Sequence, residues 1–183
     1  MVLAAYLDGP YKLILLLHIL AAIVGFGASF LNAIYGGQAK GRRGAEGLAI
    51  AQANYLVSSI AEYFIYGVFV TGILLVLFSE NRGSRVWEFG DTWIWGAIVL
   101  YVVGLGVAHG ILRPNVRRMN SLMEQLVHMG APPGEPSATP SPASSLPPQV
   151  QEMQERAKRV GLAGAILNVD LVLILALMVW KPG

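Results

Sequence analysis

Four apolar stretches dominate the chain: Tyr11–Tyr35, Leu56–Phe78, Trp93–Leu112 and Val160–Trp180. Each meets the length of about 20 mostly apolar residues that a helix needs to cross a bilayer core. Within lipid, a spanning segment of this kind satisfies its backbone polar groups only as a helix. The pattern therefore predicts an all-α polytopic four-helix bundle, a single integral membrane domain over 1–183. Three flanking segments predict helical extensions of the second, third and fourth spans. Gly44–Ser59 mixes small, apolar and polar residues in a helix-compatible way. Asn115–Met129 places Val116, Met119, Leu122, Met123, Leu126 and Val127 at helical spacing, and Gln149–Arg159 is rich in helix formers. Between the last two, residues 130–148 carry Pro132, Pro133, Pro136, Pro140, Pro142, Pro147 and Pro148. No continuous helix tolerates that density of proline, so this stretch reads as a solvated low-complexity tether.

Composition agrees with the pattern. A chain that is 55% hydrophobic and 13% charged does not make an ordinary soluble domain. The basic residues sit beside helix ends, where they report orientation and not nucleic-acid binding. Lys40, Arg42 and Arg43 follow the first span. Arg113, Arg117, Arg118, Arg156, Lys158 and Arg159 lie between the third and fourth. The opposite ends hold fewer: Lys12, Arg82, Arg85 and Lys181. The positive-inside rule puts the two basic loops in the cytoplasm and both termini outside a bacterial inner membrane. All four tryptophans, Trp87, Trp93, Trp95 and Trp180, then fall at the outer boundary, where indole rings favour the interface. The first ten residues carry no Lys or Arg, so the first span reads as a retained helix and not a signal peptide. The chain has no cysteine, which excludes disulfides, thiolate metal sites, iron–sulfur clusters and covalent c-type haem. No metal and no cofactor is predicted, although a noncovalent b-type haem is compatible with the composition.

Polar groups inside the spans are where function is to be sought, because each is costly in lipid. They are His18, Asn32, Glu62, Tyr66, His109, Asn168 and Asp170. With a rise of about 1.5 Å per residue, His18 lies roughly 10 Å below the outer end of its helix and His109 roughly 24 Å below. Those two helices run in the same direction, so one haem iron held between the two histidines is disfavoured. Glu62, His109 and Asn32 share a depth near the cytoplasmic side and form one expected layer. Tyr66 stands one turn from Glu62 on the same face, in position to donate a hydrogen bond to it. Asp170 lies near mid-span with His18 a little farther out, an expected second layer. His128 falls in an extension and reads as solvated. Two stripes of small residues, Ala21–Gly25–Ser29–Ala33 and Val102–Gly106–Gly110, read as faces for close helix packing inside the bundle, with a homodimer face as the alternative.

The segments Leu17-His18-Ile19-Leu20-Ala21-Ala22, Ala61-Glu62-Tyr63-Phe64-Ile65-Tyr66 and Ala108-His109-Gly110, with Arg113-Pro114-Asn115 just beyond, resemble a family of bacterial integral membrane proteins of unknown function. That resemblance implies a four-helix architecture and carries no activity. Leu17-His18 is also similar, more distantly, to the copper-resistance D membrane proteins and the HemJ-type protoporphyrinogen oxidases. The HemJ type would make His18 a haem ligand and place a lysine in the third helix, where Trp93–Leu112 has none. Copper transport would call for thiols or paired methionines, and the only methionine within the four apolar stretches is Met178.

The sequence supports three functional expectations. The first is a non-enzymatic accessory or assembly subunit of a bacterial membrane complex, with the lipid bilayer and other membrane subunits, or a second copy, as its partners. The second is a redox protein with one b-type haem on His18 and a ligand other than His109. The third is a proton or ion path through Glu62 and His109, then Asp170, then His18.

Overall fold

The computed structural model describes residues 7–42, 44–82, 84–129 and 148–182. The chain forms α1 (Gly9–Gly41), α2 (Gly44–Leu77), β1 (Glu80–Asn81), β2 (Ser84–Arg85), α3 (Thr92–Val107), a π segment (Ala108–Leu112), α4 (Arg113–His128) and α5 (Pro148–Trp180). The helix Thr92–His128 runs on through the π segment, so among the described residues four continuous helices are long and apolar enough to cross a membrane. The expected extensions are continuous with their spans. The Pro-rich stretch lies outside the described residues except for Pro148, which opens α5. Arg43 is outside them as well.

The bundle is built from two antiparallel pairs, α1 with α2 and α3 with α5, which α2–α4, α4–α5 and α1–α5 contacts join. Small residues set the first pair. A Cβ at Gly25 would lie 2.9 Å from Ile65 Cγ1 and 3.1 Å from the Ile65 nitrogen, so the backbones meet at a distance that only glycine permits. Ala21 lies one turn nearer the start of α1, beside Gly67. The reversal between α1 and α2 is equally tight. Gly44 has φ +59°, and a Cβ at Gly47 would stand 2.6 Å from the Arg42 carbonyl oxygen. Arg42 also pairs with Glu46 across this turn.

Each end of the bundle has its own closure. At the end holding the β-hairpin, Ser79 is fully buried; its hydroxyl donates to the Val76 carbonyl (2.8 Å) and accepts from the Trp87 amide (3.1 Å). Trp87 packs edge-on against Trp93, and Lys181 Nζ lies 4.1 Å from the Trp87 ring centre. The chain's last described residues are thus held to the α2–α3 connection. At the opposite end, Arg118 binds both oxygens of Glu152 (3.0 and 3.2 Å), Arg156 donates to Glu152 (2.9 Å) and to Asn115 (3.0 Å), and Leu122 and Leu126 are buried beneath. Elsewhere large apolar side chains such as Ile23, Val70, Leu162 and Val169 point outward, a surface suited to lipid.

The second small-residue stripe does not pack inward. Val102 is 58% exposed, and nothing lies within 4 Å of a Cβ placed at Gly106 or Gly110. The glycines of α3 that meet α5 are instead Gly96, whose Cβ would touch Leu177, and Gly104, whose Cβ would touch Asp170. Two residues of helix turn the chain by about 200°, so burying Gly104 sends Gly106 to the opposite face.

Candidate functional site

Glu62 and Tyr66 stand one turn apart on α2 and face the π segment. Tyr66 donates its hydroxyl proton to Glu62 Oε1 at 2.5 Å. From across the interface Arg113 Nη1 reaches both carboxylate oxygens, at 2.8 and 2.7 Å. His109 Nε2 lies 2.8 Å from Glu62 Oε1 and 2.9 Å from the Tyr66 oxygen. The π turn belongs to this arrangement: the Arg113 amide bonds the Ala108 carbonyl five residues back, and His109 Nδ1 points at the Leu105 carbonyl at 3.0 Å. A single π turn within an α-helix is a recurrent feature of functional sites.

The contacts constrain the protons. A carbonyl only accepts, so His109 Nδ1 carries a hydrogen. Nε2 then has two roles open to it. As part of an imidazolium it donates to Glu62; as part of a neutral ring it accepts the Tyr66 hydroxyl. One proton and one hydroxyl rotation separate the two states. Arg113 balances the Glu62 charge in both. The cluster is not sealed within the chain, for the Glu62 side chain is 21% exposed and that of His109 is 42% exposed.

The other intramembrane polar groups form separate stations. Asn32 does not join Glu62 and His109; its Oδ1 accepts from Ser58 at 2.9 Å, in the α1–α2 interface. Asn54, whose carbonyl also accepts from Ser58, has a buried Oδ1 with no partner among the described residues. His18 does not meet Asp170. Its Nδ1 bonds Thr71 Oγ1 at 3.0 Å, with the ring against Gly72. Asp170 lies in the α3–α5 interface against Gly104. Asn168 is half-buried on α5 and joins none of these groups. Ser29 turns back to the Gly25 carbonyl of its own helix. Reading by depth missed four participants. Arg113 was visible as the residue one turn beyond His109, and Thr71 and Ser58 as polar positions level with His18 and Asn32 in an antiparallel pair. Gly104 carried no signal that set it apart from Gly106.

A haem would need an apolar slot bordered by a histidine. Two shallow, open hollows are present; one is lined by Leu100, Leu173, Ala176, Leu177, Trp180 and Pro182, the other by Ala165, Ile166, Val169, Asp170 and Leu173. Neither borders His18 or His109. Among the described residues no three His, Asp or Glu side chains gather as a metal site would require.

Residues 12–182 match a protein family described as "Predicted integral membrane protein (DUF2269)". No curated protein and no solved structure matches the chain. The resemblance to the copper-resistance D and HemJ-type proteins finds no support in these matches.

Proposed function

The chain belongs to the DUF2269 family of predicted integral membrane proteins, and from that premise we propose that it is a non-catalytic subunit of a larger bacterial inner-membrane assembly. One observation carries the reading. The outward Gly106–Gly110 face of the third span adjoins a Glu62–Tyr66–His109–Arg113 cluster that is half-open on its lipid side. Ionic groups at the edge of the hydrocarbon are costly when they face lipid. Glycines without a neighbour let a helix of another chain approach to backbone distance. A partner helix seated there would shield the cluster and fill the glycine face together. The topology that goes with this reading has both termini outside, and the Arg118–Glu152–Arg156 clamp in the cytoplasm, on the same side as the basic α1–α2 turn.

A photo-crosslinking residue placed at Gly106, in membranes at native abundance, tests the proposal. It should give a discrete higher-mass product. The same residue at Val172, on an outward face of α5 without glycines, should give mainly lipid adducts. Lipid adducts alone at both positions would contradict a partner on this face.

A further inference from the structure

Asp170 sits at mid-span on α5 and is only 9% exposed. Its carboxyl lies against α3, where a Cβ on Gly104 would stand 2.6 Å from Oδ2. Among the described residues no hydrogen bond or charged group acts on it. The polar groups of the helices packed around α5 are engaged elsewhere. His18 of α1 bonds Thr71, Tyr101 of α3 bonds the Ile65 carbonyl, His109 and Arg113 bind Glu62, and Asn115 of α4 bonds Arg156. Beside Asp170 is the open apolar hollow lined by Ala165, Ile166, Val169 and Leu173.

We propose that Asp170 is a proton-binding site within the bilayer, held as the neutral carboxylic acid in the folded chain and reached from the lipid side through this hollow. An ionised carboxylate at this depth needs a counter-charge or several donors. Among the described residues this one has neither, whereas the acid needs no counter-charge and fits the close contact that glycine at position 104 allows. The bound species is a proton and not a metal ion, because among the described residues no second carboxylate or imidazole faces the position. The site is distinct from the Glu62 cluster, which has its own cation in Arg113, and it stands whether or not a partner covers the Gly106 face.

Dicyclohexylcarbodiimide tests it on the full chain in lipid nanodiscs near neutral pH. This apolar reagent enters from the bilayer and reacts with a carboxylic acid. The acid's O–H adds across a C=N bond, the product rearranges in place to an N-acylurea, and nothing leaves. Peptide mass spectrometry should find the adduct on Asp170. The adduct should be lost in Asp170→Asn and kept in Glu62→Gln. Infrared difference spectra of the unmodified chain against Asp170→Asn should show the C=O stretch of one protonated carboxyl, with the helical amide band of the variant reporting its folding. An unreacted Asp170, or no protonated-acid band in that difference, would overturn the proposal.

Discussion

Replacing Gly104 and Gly106 in turn by alanine probes the register of the third span with one substitution at two sites two residues apart. At Gly104 the new methyl would stand 2.6 Å from Asp170 Oδ2, well inside van der Waals contact. Asp170 is short and wedged between helices, so α3 and α5 must part by several tenths of an ångström. Overpacking of this kind costs about 1–3 kcal/mol. At Gly106 nothing lies within 4 Å of the new methyl. Both variants exchange glycine for alanine within one helix, and the propensity gain of up to about 1 kcal/mol is common to them. It cancels in the comparison. Gly104→Ala should therefore be less stable than Gly106→Ala by about 1–3 kcal/mol. The assay is reversible unfolding in mixed micelles by added sodium dodecyl sulfate, tracked by circular dichroism. In an Asp170→Ala background the penalty at position 104 should vanish, since the clash has one partner. Equal stability of the two single variants, or a larger loss at Gly106, would refute the facing of this helix and with it the outward glycine face.

The same contacts set three further expectations. Glu62→Gln keeps the shape but removes the counter-charge of Arg113; in the unfolding assay it should cost at most about 1.5–3 kcal/mol, less where water reaches Arg113. Glu152, next to the Arg118 and then the Arg156 guanidinium, is held below the usual carboxylate range. Folding lowers its pKa, so its contribution is present above the ordinary carboxylate pKa and lost as pH falls through the lowered value. Spin labels on α4 and α5 should accordingly report a broadened separation in acid that Glu152→Gln shows at every pH; an acid response surviving in that variant would place the titration elsewhere. Single cysteines in this cysteine-free chain should react with an impermeant reagent from outside at Ser84 and not at Lys40, and the reverse pattern would invert the topology.

How far each feature could be read from sequence depends on what fixes it. The four helices were legible because run length and bilayer thickness leave a helix as the only conformation for such segments. The pairing of Glu62 with Tyr66 and His109 was legible too, since depth and helical spacing bring them level. Depth says nothing of azimuth, however. Spans that are apolar all round carry no stripe to show which face turns inward. That is why depth alone joins Asn32 to Glu62 although its partner is Ser58, and joins His18 to Asp170 although its partner is Thr71. The same gap hides the choice between Gly104 and Gly106. The π turn at Ala108–Leu112 adds to it, because an extra residue in one turn rotates the remainder of the helix and no residue type announces it.

Purification in mild detergent from native membranes at native abundance, with native mass spectrometry as the readout, bears most directly on the central claim that this chain is a subunit of a larger assembly. The expected result is a particle heavier than one copy of the chain, shifting to the single-chain mass when Gly106 and Gly110 are both replaced by leucine. A single-chain particle from the unmodified protein under those conditions would contradict the claim.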